Sequence, residues 1–250
     1  MVILAKTCGL QTIDAAQCAI DNGADLLGAI FVPGRSRTVH HQVAKDISQR
    51  CHDARLVKNP DFNKTEFFQS VLSGDVASSG AEYFTKVQEQ LANNGPFLVG
   101  VFQNQSIPEI VDAVNATNLD IVQLHGSENK LEYVKELKKL GIPVISRYLV
   151  QDLQDSEKLT NEICVNGQHL LVLLDSAVGG EGTTLDWESI DKINANGTIK
   201  FMLAGGLAPD NVALAKRVNG VIGVDVSSGI ETAKRKDNVK IEQFIRQVRE

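Results

Sequence analysis

Eight short apolar runs, spread along almost the whole chain, limit what this sequence can fold into more than any other feature. They fall at 2–7, 25–31, 97–102, 119–124, 143–148, 169–174, 200–204 and 220–225. Most run on without strict alternation of apolar and polar residues, as strands buried on both faces do. Between them, apolar residues recur at helical spacing. Examples are Ile13, Ala16, Cys18 and Ala19; Ile107, Ile110, Val111 and Val114; Leu131, Val134 and Leu137; Val212, Leu214, Ala215 and Val218; and Ile241, Phe244, Ile245 and Val248. Strands that alternate with helices predict βα units and a parallel sheet.

Eight such units either close into a barrel or lie as an open sheet. The count favours closure, and no GxGxxG follows the first run to mark a dinucleotide-binding open sheet. The segments CGL, PGRSR, QLHG, LDSAVGG, AGGL and DVSSG each follow a run. In a barrel these would gather at one end, where barrel enzymes place their chemistry. The expected fold is therefore α/β, a (β/α)8 TIM barrel. A length of 250 residues suits one such domain over 1–250, and 43% apolar with only 5% aromatic residues predicts an aliphatic core. One stretch breaks the rhythm. Residues 52–96, between the second helix and the third strand, are longer than such a connection needs. They hold two helical patches, around Phe67–Leu72 and Tyr83–Leu91, joined by SGDVASSG. This reads as an insertion on the end of the barrel away from the site.

A net charge of −6 argues against a basic footprint for nucleic acid, and no Lys/Arg cluster suggests a membrane surface. Cys8, Cys18, Cys51 and Cys164 form neither CxxC pairs nor zinc-type spacings. The first apolar run is too short for a secretory signal, and none approaches a membrane span. The expectation is a soluble cytoplasmic protein, monomeric or a weak homodimer, with no nucleic-acid or membrane partner. A small anionic ligand is compatible with this charge, because glycine loops and helix N-termini bind anions locally.

Two glycine stretches point to such a ligand. LAGGL, with Gly205 and Gly206, ends the seventh run and precedes a helical pattern; GVDVSSG, with Ser227, Ser228 and Gly229, ends the eighth. Loops after strands seven and eight form the recurring phosphate site of these barrels, so the barrel is expected to be of the phosphate-binding type. Asp175 ends the sixth run and faces either the mouth or a structural hydrogen bond; Gly179, Gly180 and Gly182 follow it in a loop able to close over a substrate. Cys8 ends the first run, and Lys6 shares its face. Either Cys8 is inert packing, or an ammonium one layer below enriches its thiolate. Asp225 neighbours the first strand in a closed barrel and either pairs with Lys6 or holds a ligand hydroxyl. Arg37 is a solvated loop residue or a bidentate receiver for a carboxylate, and Arg35 could do the same. His125 makes a polar contact in the site or caps the next helix.

KTCGLQT, FVPGRSRTV, VGVFQNQ, DIVQLHG, LLDSAVGGEGTTLDW, FMLAGGLAPDNV and NGVIGVDVSSGIE occur in this order. Over nearly the whole chain the sequence resembles the phosphoribosylanthranilate isomerases of tryptophan biosynthesis, most of all their single-function form in yeasts. The stretch 52–96 is the departure. The resemblance implies an Amadori rearrangement of N-(5-phosphoribosyl)anthranilate with no cofactor or metal. It implies Cys8 as general base, Asp175 as general acid, Arg37 on the anthranilate carboxylate, and Gly205, Gly206 and Ser227–Gly229 on the phosphate. Indoleglycerol-phosphate synthase is similar in the phosphate loops but relies on strand-end lysines and glutamates. A histidine-pathway isomerase carries an aspartate where Cys8 sits. A non-catalytic phosphosugar-binding barrel would keep the glycines without needing Cys8 and Asp175.

Overall fold

A computed structural model describes residues 2–73, 80–154, 169–175, 187–195 and 197–250. The eight apolar runs are eight strands: β1 (Leu4–Cys8), β2 (Leu26–Ile30), β3 (Phe97–Phe102), β4 (Ile121–Leu124), β5 (Val144–Leu149), β6 (Leu171–Asp175), β7 (Phe201–Leu203) and β8 (Val221–Val226). Each pairs in parallel with the next, and β8 returns to β1 with Lys6 opposite Asp225, so the sheet is a closed barrel. Closure removes the exposed edges that an open sheet must protect. The described helices are α1 (Ile13–Asp21), α2 (His41–Lys58), α3 (Lys64–Leu72), α4 (Gly80–Asn94), α5 (Ile107–Thr117), α6 (Lys130–Lys139), α7 (Trp187–Ile193), α8 (Val212–Ala215) and α9 (Asn238–Arg249). A two-stranded antiparallel hairpin, β9 (Glu231–Thr232) and β10 (Arg235–Lys236), follows β8. Cys164 and the loop glycines Gly179, Gly180 and Gly182 lie outside the described residues.

Local chemistry sets the helix starts. At α5, Ser106 and Glu109 form a reciprocal capping box, which satisfies two of the N–H groups that a helix start leaves without partners. The spacing Val212–Val218 predicts a longer helix than forms: α8 is a single turn. No helix among the described residues is long and apolar enough to cross a membrane.

Buried polar clamps hold the barrel end opposite the polar loops. Gln88 on α4 donates to Val2 O at 2.5 Å and Ile222 O at 2.9 Å, tying this helix to the starts of β1 and β8. Arg249 on α9 donates to Ile3 O, Gly23 O and Asp25 Oδ2, and Asp25 in turn accepts from Ala5 N. Arg55 on α2 donates to both oxygens of Asp120, at 2.9 and 3.2 Å, beneath the rings of Phe62 and Phe97. Phe67 and Phe68 of α3 pack on the same Phe97 ring, which is why this part of the long β2–β3 connection folds back onto the barrel. Arg55 is 2% exposed, so removal of its anion would strand a buried charge. Asp120→Ala is expected to cost about 3–5 kcal/mol of stability, read from the shift of a urea unfolding curve. A loss below about 1 kcal/mol, the scale of a surface pair, would show that Arg55 finds other partners.

Candidate active site

The C-terminal strand ends surround a cavity of about 580 Å³, a size typical of small-molecule sites. Of the residues singled out from sequence, Cys8, Arg37, His125, Asp175, Gly205, Gly206, Asp225, Ser227 and Ser228 line it. Gly229 does not, but its Cα lies so close to Leu207 O that any side chain would collide with that backbone. Glycine here lets the loops after β7 and β8 press together. Gly205 and Gly206 both have left-handed backbone, φ +90° and +66°, which costs other residues energy. Asn211 fixes their turn: its Nδ2 donates to Gly206 O, and its Oδ1 accepts from Ala208 N, both at 2.9 Å. The N–H groups of Gly205 and Gly206 meet no acceptor among the described residues. A helix follows this loop as expected, but α8 is only one turn long, and β8 leads into a 3-10 turn, Ser228–Ile230. Anion binding here would rest on loop N–H groups.

Cys8 ends β1 with its Sγ against Gly28 of β2, where a Cβ would stand 2.6 Å from the sulfur. Lys6 lies two residues below, fully buried, with its Nζ 2.9 Å from Asp225 Oδ1. Of the two readings of Asp225, pairing with Lys6 is therefore seen. Burial opposes the Lys6 charge, but Asp225, with help from Cys8, holds the ammonium above the ordinary lysine value. At Cys8 burial dominates and pushes the thiol up; Lys6 and Lys236 pull it back only in part, and Asp225 adds to the rise. Lys6 thus acts in the expected direction, but burial leaves the thiol above its ordinary value all the same. Desolvation of a negative sulfur outweighs a cation already shared with a carboxylate.

Asp175 ends β6, and its Oδ2 accepts from Arg147 Nε at 3.3 Å and lies 3.6 Å from His125 Nε2. Arg147 on β5 also lines the cavity and reaches His125 O at 3.5 Å. It was missed in the sequence, although it stands two residues after Ile145 on the same strand face, where an apolar run ends in a charge. His125 does not cap α6, since Asn129 does. Its Nδ1 is 3.4 Å from Gln123 Nε2, and burial, then Arg147, Lys6 and Arg35, lower it to about 3, so the ring is neutral. A proton on Nε2, set by the Gln123 amide donating to Nδ1, would face Asp175.

Arg37 is not a loose loop arginine. Its Nε and Nη2 donate to the two oxygens of Glu231 at 2.7 and 2.9 Å. That hydrogen bond raises it above the ordinary arginine value, against the effect of burial. Arg35 lies beside it and donates to Gln103 at 3.1 Å. Thus Arg35, Arg37 and Arg147 line a cavity to which Asp175 and Asp225 also contribute. The site is locally cationic although the chain carries −6, as an anionic ligand requires.

Comparisons with known proteins bear on the family and the fold. Residues 68–247 match the family model described as N-(5'-phosphoribosyl)anthranilate (PRA) isomerase. The N-(5'-phosphoribosyl)anthranilate isomerase of Komagataella pastoris is 45% identical over 97% of this chain and 98% of its own. That of Wickerhamomyces anomalus is 40% identical over 98% of each. The phosphoribosyl anthranilate isomerase of Thermotoga maritima superposes with a TM-score of 0.70 at 28% identity, covering 99% of this chain and 98% of that one. A phosphoribosyl anthranilate isomerase solved with reduced 1-(o-carboxyphenylamino)-1-deoxyribulose 5-phosphate superposes at 0.68, with the same identity and coverage. The strand count, the closed barrel and the full-length similarity lead to one conclusion: this chain belongs to the N-(5'-phosphoribosyl)anthranilate isomerase family.

Proposed function

We propose that this chain converts N-(5-phosphoribosyl)anthranilate to 1-(2-carboxyphenylamino)-1-deoxyribulose 5-phosphate, with Asp175 as general acid and Cys8 as general base. The observation that carries this reading is that a strand-end thiol and a strand-end carboxyl line the same cavity as the two glycine loops. Asp175, as the carboxylic acid, gives its proton to the furanose ring oxygen. The bond from that oxygen to the first sugar carbon breaks, and the anthranilate nitrogen takes up the positive charge as a Schiff base. Cys8, as thiolate, removes the proton from the second sugar carbon, and those electrons neutralise the Schiff base to an enolamine. Tautomerisation moves the enol proton to the first carbon and gives the ketone. Atoms and charge balance without any outside reductant or oxidant. An acid and a base with different surroundings, on different strands, can serve these two steps.

The remaining residues fit the ends of the ligand. The N–H groups of Gly205 and Gly206, with Ser227, Ser228 and Gly229, take the phosphate. Arg37 takes the anthranilate carboxylate. Asp225 gives one oxygen to Lys6 and leaves the other for a sugar hydroxyl, while His125 steadies the ligand beside Asp175. The reading extends to a soluble cytoplasmic enzyme acting as a monomer or weak homodimer, as expected from the sequence.

The test is a fluorescence time course with freshly made phosphoribosylanthranilate. The folded protein is expected to consume it far faster than the uncatalysed background. Absence of turnover by folded protein would overturn the reading. Turnover of the histidine-pathway aldose in its place would reassign the same barrel, and ligand binding without turnover would reduce it to a phosphosugar-binding protein.

A further inference from the structure

The β9–β10 hairpin after β8 carries two ionic side chains to which neither the sequence analysis nor the proposed reaction gives a role. Glu231 and Lys236 are cross-strand partners in it. Their side chains are 8% and 6% exposed, whereas Arg37 is 23% exposed and faces the cavity. Glu231 therefore stands behind Arg37. We propose that Glu231 is a positioning residue that presents Arg37 to a ligand carboxylate, with Lys236 cancelling its charge. This rests on the reading of Arg37 as the carboxylate receiver.

The geometry carries the argument in three steps. A guanidinium is a rigid plane with five N–H donors. Glu231 takes the Nε–H and one Nη2–H, at 2.7 and 2.9 Å. The opposite edge, made by Nη1 and the other Nη2–H, is then aimed by the ion pair and remains suited to a second carboxylate. Charge comes next. A lone Arg–Glu pair is neutral and would draw an anion weakly. Lys236 Nζ lies 2.8 Å from Glu231 Oε1, so two cations share one anion and the cluster keeps a single positive charge for the ligand. The third step is span. Lys236 Nζ also donates to Ser227 O at 2.8 Å, at the start of the loop proposed to hold phosphate, and Lys240 holds Glu231 O at 2.7 Å. Gly9 permits this convergence: a Cβ there would stand 3.0 Å from Arg37 Cδ, 3.1 Å from Ser227 Oγ and 3.3 Å from Lys236 Nζ. One strut thus connects both anion-holding points and fixes their separation. The site selects a ligand with two anionic groups at that span.

The experiment compares two inhibitors on the intact enzyme: the reduced product analogue, and the same molecule with a phenyl ring lacking the carboxylate. Glu231→Gln keeps the side-chain volume but presents an amide to the guanidinium. It is expected to weaken the carboxylate-bearing inhibitor roughly tenfold to thirtyfold, the scale of a charge-assisted hydrogen bond. It should move the phenyl analogue less than about threefold and raise KM more than it lowers kcat, as for loss of a ground-state contact. Equal weakening of both inhibitors would make Glu231 merely structural. Tighter binding of the carboxylate would show that Glu231 competes with the ligand. Either result overturns the proposal. Arg37→Gln separates it from its premise: if that change does not discriminate between the inhibitors, the reading of Arg37 itself fails. Should Glu231→Gln not fold, Lys236→Met leaves Glu231 to neutralise Arg37 and predicts the same selective loss.

Discussion

Cys8→Ser is expected to lower kcat by about 10²–10⁴, the range supplied by a positioned general base, while the unfolding midpoint barely moves. The replacement is nearly isosteric, and the sulfur lies against Gly28, where no side chain depends on it, so the fold has little to lose. The chemistry has much to lose, because a hydroxyl is a far poorer proton acceptor at neutral pH than a thiol that can ionise. The pH profile tests the same assignment. Burial, only partly offset by Lys6 and Lys236, pushes the Cys8 thiol above its ordinary value. A raised value delays deprotonation, so the active thiolate is scarce at neutral pH and accumulates as pH rises. In the wild type, kcat/KM should therefore climb on the alkaline side beyond the range where an ordinary thiol titrates. Lys6→Met removes the largest influence pulling the thiol down and should move that limb to still higher pH. Near-normal turnover in Cys8→Ser, or a profile without an alkaline rise, would exclude the thiol as the base.

The barrel was legible because its signal is local and repeated. A buried parallel strand must be apolar on both faces, so each of the eight runs declares itself within a few residues, and their order gives the closed sheet. The strand-end positions of Cys8 and Asp175 were legible for the same reason. What failed was long-range or energetic. The Arg37–Glu231 pair joins residues 194 apart in the chain, and no periodicity marks it. Arg147 looked like part of an ordinary strand, since its meaning depends on its side chain reaching Asp175, which lies diagonally across the β5–β6 ladder, opposite Leu149. The pull of Lys6 on Cys8 was legible from proximity, but the net shift was not, because it depends on how much water the thiol has lost and on Asp225 beside it. The one-turn length of α8 was hidden by apolar residues that continue the spacing to Val218 although the helix does not.

Asp175→Asn separates the acid from the base. The amide matches the carboxylate in shape, and its Oδ1 can still accept from Arg147 Nε, which stands 3.3 Å from Asp175 Oδ2 in the wild type. The fold and the cavity should persist. What the amide lacks is a proton to give to the ring oxygen. Turnover is expected to fall by about 10²–10⁴, with KM much less affected, because the lost interaction exists only while the ring opens. Loss of activity alone would not distinguish an acid from a structural support. A substrate deuterated at the second sugar carbon does. In Cys8→Ser, removal of that hydrogen is the slowed step, so the isotope effect on kcat should be larger than in the wild type. In Asp175→Asn, ring opening is slowed, and the isotope effect should fall towards unity because the labelled bond breaks only afterwards. Equal isotope effects in the two variants would refute the division of labour, since both residues would then be acting on the same step.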